Sequence, residues 1–276
     1  MTCKNLCLEN VIMAKNNLCN LINEFIDTIL HMTNKFRVGD IVYVSRSRAR
    51  LDINAPSALY RSEIVEIRNR SAKIKLLEDV SSFIPTSALV KRLGILVLKI
   101  GDFESEDSLL NPLRESLRHY FSLLLSEGEV LYWDVRSLDE LSRFWKTQNN
   151  HNAITHVILV GHGKSNSIKF GDTWKLSKEI NDILNLDGVF PKQFISLCCE
   201  TGIANFGKMF SQLPVCESLI APFQSIHGSI ASQFCQTYFN YLLLQGKTSG
   251  VSFKKARDAT PNATSFRRWK NGKLIS

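Results

Sequence analysis

Two short apolar runs constrain this chain more than anything else in it: His156-Val-Ile-Leu-Val-Gly-His162-Gly163, and Phe194-Ile-Ser-Leu-Cys198-Cys199-Glu200-Thr201-Gly202. Neither alternates regularly between polar and apolar residues, which is the pattern of a strand covered on both faces. Each breaks off at small residues beside a side chain that can exchange a proton. In a parallel sheet such strand ends share one rim, and that rim is where these sheets bind ligands. A histidine and a cysteine thirty-seven positions apart in sequence then become neighbours in space. The proximity matters chemically, because a thiol becomes a strong nucleophile only when a base takes its proton.

The rest of the chain from Leu93 has the alternation of strand and helix that such a sheet needs. Ile95–Ile100 is a fully buried type of strand, and Leu109–Leu125 an amphipathic helix. Glu129–Val135 predicts the next strand and Leu138 to about Gln148 the next helix. After the His162 strand come an excursion at Ile168–Trp174 and a helix near Ser177–Leu186. The Cys199 strand leads to a helix from about Ile203 to Phe210, a strand near Ser218–Ala221 and a strongly apolar helix at Ile230–Leu244. Residues 93–276 therefore predict an α/β domain, a parallel sheet sandwiched by helices.

Two other segments precede it. Residues 1–35 carry apolar positions at helical spacing over 3–34 and predict an N-terminal helical segment. Residues 36–92 hold short alternating runs, Phe36–Val44, Arg61–Ile67 and Ala72–Leu77, with Gly39-Asp40 and Asn69-Arg70-Ser71 as turn signals. Strands at this spacing predict a small β-barrel, and the Val-Gly-Asp opening resembles SH3-like modules.

Composition narrows the setting. Of 276 residues 44% are apolar and 22% charged, as in ordinary globular domains. No apolar run reaches the roughly 18 residues of a membrane span. Charges scattered through the first 30 residues are wrong for a secretory signal. Seven cysteines with no paired framework fit a reducing compartment, so the expectation is a cytoplasmic protein without membrane association. Cys3 and Cys7 lack the further ligands of a zinc site. The net charge of +8 admits nucleic acid as a partner, but its spread, with local clusters at Arg46–Arg50 and Lys254–Lys273, does not favour it.

The residues around the second run sharpen the reading. Cys199-Glu-Thr-Gly202 resembles the Ser-Ala-Cys-Glu-Thr-Gly block of CHAT domains, relatives of caspases and separase. The resemblance covers roughly residues 94–260. It extends to Ala221-Pro-Phe223, Phe234, Tyr238–Leu242, Gly246 and Ser252–Arg257. It implies a caspase-like fold and a cysteine endopeptidase using a Cys-His dyad, with Cys199 as nucleophile and His162 as base and acid. The amides of Gly163 and Cys199 would form the oxyanion site, with no metal or other cofactor. It also implies a protein substrate, such as an effector encoded nearby, an activating sensor, and a role in bacterial antiviral defence or regulated cell death. Two positions depart from the family: Leu197 replaces the usual Ser, and Pro222-Phe223 replaces a Trp-containing turn where relatives shape their substrate pocket.

Cys198 is the alternative nucleophile, since neighbours on a strand face opposite ways and only one can meet His162. Asp134, at a strand end on the same rim, and Asp172, on the excursion, are candidate pocket residues along with Pro222 and Phe223; His227 is a candidate second base. Gly161-His-Gly163-Lys-Ser165 ends like a phosphate loop, but Ile158 stands where that motif needs glycine. No Gly-x-Ser-x-Gly elbow is present. The alternative from another class is a CHAT-like adaptor without turnover, binding protein or nucleic acid.

Overall fold

Alternation with period two produces the first four strands: β1 (Ile41–Ser45), β2 (Leu59–Arg68), β3 (Ser71–Lys75) and β4 (Ser81–Pro85). They pair antiparallel in the order β1-β2-β3-β4. Val42, Val44, Ile64, Ala72, Ile74 and Ile84 form their shared core. The computed structural model describes residues 36–45, 49, 59–76, 81–86, 89, 94–125, 129–147, 154–186 and 189–276. The expected helices of residues 3–34 and the arginines of Arg46–Arg50 lie outside the described residues. Among those described, the four strands form an open meander, with no pairing between β1 and β4.

Among the described residues the second sheet has seven strands. In chain order these are β5 (Gly94–Ile100), β6 (Val130–Val135), β7 (Ile154–Val160), β11 (Lys192–Ser196), β12 (Cys216–Pro222), β13 (Phe266–Lys270) and β14 (Lys273–Leu274). Between β7 and β11 the chain makes a separate three-stranded sheet from β8 (Gly163–Lys164), β9 (Ser167–Phe170) and β10 (Thr173–Leu176). The large sheet runs β14-β13-β12-β11-β7-β5-β6, parallel from β6 to β12 and antiparallel from β12 onward.

Among the described residues six helices cover it: α1 (Asn111–Ser122), α2 (Leu138–Thr147), α3 (Ser177–Leu184), α4 (Ala204–Phe210), α5 (Gly228–Phe239) and α6 (Ser249–Ala259). Leu113, Leu117 and Phe121 of α1, Phe234 and Phe239 of α5, and Phe253 of α6 pack on one face, against Ile95 and Val97 of β5. Trp145 of α2, Ile180 of α3, and Phe206 and Phe210 of α4 pack on the other, against Leu96, Leu98 and Ile100. Successive residues of β5 thus enter opposite cores, so both faces must be apolar. The expected α/β sandwich is present. The antiparallel edge hairpin β13–β14 is an addition to the expected parallel strands.

Strand order also fixes where a ligand can bind. The chain leaves β5 for the edge strand β6, then crosses back to β7 on the other side of β5. The direction of the crossovers reverses between β5 and β7, and the carboxyl ends of β5, β7 and β11 lie side by side on one rim, where sheets of this kind bind ligands.

Candidate active site

His162 stands just beyond β7. Its carbonyl accepts the Lys169 N–H at 3.0 Å, which ties this turn to β9. Gly161 has space for little else: a Cβ there would come within 3.2 Å of Ile100 Cβ and 3.5 Å of Cys198 Sγ. Gly163 is tighter still. A Cβ on it would meet the Cys199 carbonyl oxygen and lie 2.9 Å from both Cys198 Cβ and Thr201 Cγ2. The two strand ends singled out by the sequence thus touch through their backbones, and glycine is what lets them.

The second turn is held by its own side chains. Ser196 and Thr201 share a hydroxyl–hydroxyl hydrogen bond of 2.7 Å, and Thr201 Oγ1 donates to the Cys198 carbonyl at 2.8 Å. Gly202 N–H donates to Pro222 O at 2.7 Å, while its carbonyl accepts Trp269 Nε1 at 2.9 Å. A Cβ on Gly202 would strike the β12 backbone at Ala221 and Pro222. Between these anchors Glu200 adopts φ of +61°. The Cys-Glu-Thr-Gly run is in this way a structural solution: threonine locks the turn, and glycine admits β12.

The two adjacent cysteines meet different surroundings. Cys198 is wholly buried in the core that also holds Ile168 and Phe206, and burial pushes its thiol up to about 12. Cys199 is half-buried at the rim. Ile226 N–H and the Ser225 hydroxyl donate to its sulfur at 3.4 and 3.6 Å, and Ile226 O lies 3.7 Å away. Donors of this kind solvate a sulfur anion.

No hydrogen bond joins His162 to Cys199. The imidazole Nε2 instead lies 2.6 Å from Ser105 Oγ and 3.5 Å from Asp102 Oδ2, in the loop that leaves β5. Catalytic contacts in unliganded sites often close only when substrate arrives. Asp102 is buried, and its Oδ1 accepts the amides of Glu104 and Ser105 at 3.1 and 2.7 Å and the Ser105 hydroxyl at 2.9 Å. Burial opposes its charge. The Ser105 amide and hydroxyl, with the positive charges of His162 and Lys169, outweigh that and hold its carboxyl below the usual range.

The remaining candidates are dispersed. Asp134 is taken up in ion pairs, with Arg114 Nη1 at 2.6 Å and the buried Lys99 at 3.0 Å. Asp172 is exposed in the β9–β10 turn. Pro222 is buried, and its carbonyl holds Gly202. The Phe223 ring lies 4.1 Å beneath the Arg267 guanidinium, and its amide donates to Ser265 O at 2.9 Å. His227 caps α5, its Nδ1 accepting from Ser229 N–H at 3.3 Å and lying 2.8 Å from Ser229 Oγ.

Sequence reasoning missed Asp102, Ser105, Ser225 and Ile226. Gly101-Asp102 directly after an apolar strand was a usable signal, because that strand end belongs to the same rim.

No protein-family model matches the chain, and no curated protein matches it. Among solved structures it is similar to a secreted C11 cysteine protease from Bacteroides thetaiotaomicron, solved with an irreversible peptide inhibitor. The TM-score is 0.47 and the identity 9%, over 65% of this chain and 66% of that one. The chain thus spans just under two thirds of that protein's length. No helix among the described residues is long and apolar enough to cross a membrane.

Proposed function

We propose that this protein is a caspase-like cysteine endopeptidase with Cys199 as nucleophile and His162 as general base and acid. The observation that carries the reading is the meeting of two strand ends: Gly163 abuts the Cys199 backbone, and the accessible thiol of the adjacent pair is Cys199. His162 takes the thiol proton, and the sulfur attacks the peptide carbonyl carbon. The amides of Gly163 and Cys199 receive the oxyanion. As the C–N bond breaks, the imidazolium returns its proton to the departing amine, leaving a thioester. Water, deprotonated by His162, then releases the acid and restores the thiol.

The resemblance to CHAT domains extends the proposal to a regulated cytoplasmic enzyme of bacterial defence or cell death, activated by a sensor and cutting a specific protein partner. Residues 1–35 and 36–92 would be its docking or regulatory part, and residues 93–276 the peptidase. Asp134, Asp172, Pro222 and Phe223 remain candidates for contact with substrate. The test is co-expression with proteins encoded nearby, wild type beside Cys199→Ala and His162→Ala. A discrete cleavage product lost in both variants is expected. No cleavage, with a thiol that also resists an electrophilic peptide probe, would leave the adaptor.

A further inference from the structure

We infer that Asp102 and Ser105 set the tautomer of His162, placing the ring proton on Nε2 so that Nδ1 is the nitrogen that exchanges a proton with Cys199. This rests on the peptidase reading and names two positioning residues for it. Four groups converge here. Ser105 Oγ sits between Asp102 Oδ1 at 2.9 Å and His162 Nε2 at 2.6 Å. Asp102 Oδ2 lies 3.5 Å from His162 Nε2 and 3.5 Å from Lys169 Nζ, whose other partner is Glu104 at 2.8 Å.

Donor counting fixes the direction of the chain. Asp102 Oδ1 already accepts two backbone amides, and the carboxyl is held below the usual carboxylate range, so at neutral pH it is ionised and can only accept. A serine hydroxyl has one hydrogen, and beside a carboxylate it donates there. Ser105 Oγ then has only lone pairs to offer His162, so Nε2 must carry the hydrogen. Asp102 Oδ2, on the same side of the ring, favours the same assignment. A neutral imidazole with its proton on Nε2 has its basic lone pair on Nδ1.

The two residues should therefore differ under mutation. Ser105→Ala leaves Asp102 Oδ2 facing Nε2, so the tautomer persists with looser aim. Asp102→Asn keeps its oxygen at the Oδ1 position, where two backbone amides need an acceptor, so its NH2 takes the Oδ2 position facing Nε2. That donor favours a bare Nε2 and drives the ring proton to Nδ1, blocking the base.

The test uses the full chain with 15N-labelled histidine, at a pH where the rings are neutral. His162 is assigned by its loss in His162→Ala. In parallel, the carbamidomethylation rate of Cys199 with iodoacetamide is followed by peptide mass spectrometry, with folding checked by circular dichroism. Expected are an Nε2–H ring in wild type and a shift toward Nδ1–H in Asp102→Asn. The alkylation rate should fall roughly 100-fold in that variant and about tenfold in Ser105→Ala, and recover in Ser105→Thr. An Nδ1–H ring in the wild type would overturn the proposal. So would wild-type rates in folded Asp102→Asn, or in Ser105→Ala should Asp102→Asn not fold. If wild-type Cys199 reacts no faster than glutathione, the peptidase reading fails, while the tautomer measurement still decides this one.

Discussion

Strand β7 has a histidine inside its amino-terminal half and another just past its carboxyl end, and the two are held in opposite ways. His156 packs edge-on against Phe239 with ring centroids 5.4 Å apart, and burial pushes its imidazole down to about 4. His162 keeps 31% of its side chain exposed and faces Ser105 and Asp102. The cysteines repeat the contrast. Cys216, where β12 begins, is buried and its thiol is pushed up, whereas Cys199 is half-buried among donors. At the amino end of the sheet, polar groups are used on one another. Gln193 Nε2 donates to Ser218 O at 3.0 Å, and Gln193 Oε1 accepts the hydroxyls of Ser218 and Ser249 at 2.6 and 2.9 Å. Tyr238 OH donates to Ser249 Oγ at 3.0 Å. Histidine and cysteine are thus desolvated toward the amino end of the sheet and partly exposed at the carboxyl end.

The comparison breaks most sharply at the cysteines. Cys199→Ala should abolish labelling by an electrophilic peptide while changing stability by less than ~0.5 kcal/mol, as for other half-exposed rim positions. Cys216→Ala should do the reverse, leaving labelling intact and costing ~1 kcal/mol through the cavity it opens. Intact-mass labelling beside urea melts of both variants decides it. Retained labelling in Cys199→Ala at Cys198 would reverse the assignment of the pair.

The histidines give the next largest effect. Because folding lowers the imidazole of His156 from 6.5 to about 4, the unfolded chain binds the extra proton between those values. Stability attached to this group is complete above about pH 6.5, declines as pH falls, and is fully lost below about pH 4, a change of about 3 kcal/mol. His156→Leu should flatten the urea-melt stability profile over that window. An unchanged slope would mean that other groups carry the acid sensitivity.

How much of this was legible in the sequence follows from how local each signal is. The covered strands and their helices show in runs such as Ile95–Ile100, but the place of β5 between β6 and β7 is a crossover that alternation does not specify. The hairpin β13–β14 was also readable, from Phe266-Arg-Arg-Trp-Lys270 and the turn pair Asn271-Gly272, but it was not expected. The helix expected at Leu109–Leu125 is preceded by a wider π-type turn at Glu106–Leu110, and the one expected at Ile230–Leu244 ends in another at Asn240–Leu244, which hydrophobic periodicity does not register. Ser105 was illegible for a different reason. Its meaning lies in His162, fifty-seven positions away, and no spacing rule connects a hydroxyl to an imidazole across a sheet.

The amino-end network makes a smaller prediction. Gln193→Leu nearly keeps the volume but takes the shared acceptor from the buried Ser218 hydroxyl and the half-buried Ser249 hydroxyl. The cost should be about 2 kcal/mol, with Cys199 labelling unchanged. A loss of labelling as well would mean that the two ends of the sheet are mechanically coupled.

The smallest effect lies on the rim itself. Of the four non-glycine residues at positive φ among those described, three are asparagines, Asn69, Asn262 and Asn271, which tolerate the left-handed region; the fourth is Glu200. A glutamate there costs about 1 kcal/mol relative to glycine, and the sequence keeps it beside the proposed nucleophile. Glu200→Gly relieves that strain but enlarges the freedom of the unfolded chain, so the net gain should be only ~0.5 kcal/mol. The folded turn would loosen too. Glu200 N–H reaches Gln224 O at 3.3 Å, and the following residues Ser225 and Ile226 contact the Cys199 sulfur, so the turn and the donor loop are joined at this residue. The variant should therefore melt slightly higher yet label Cys199 a few-fold more slowly. A rise in stability with unchanged labelling would show that the strain does not aim the thiol. A fall in stability would show that the Glu200 side chain, not its backbone, is what holds the turn.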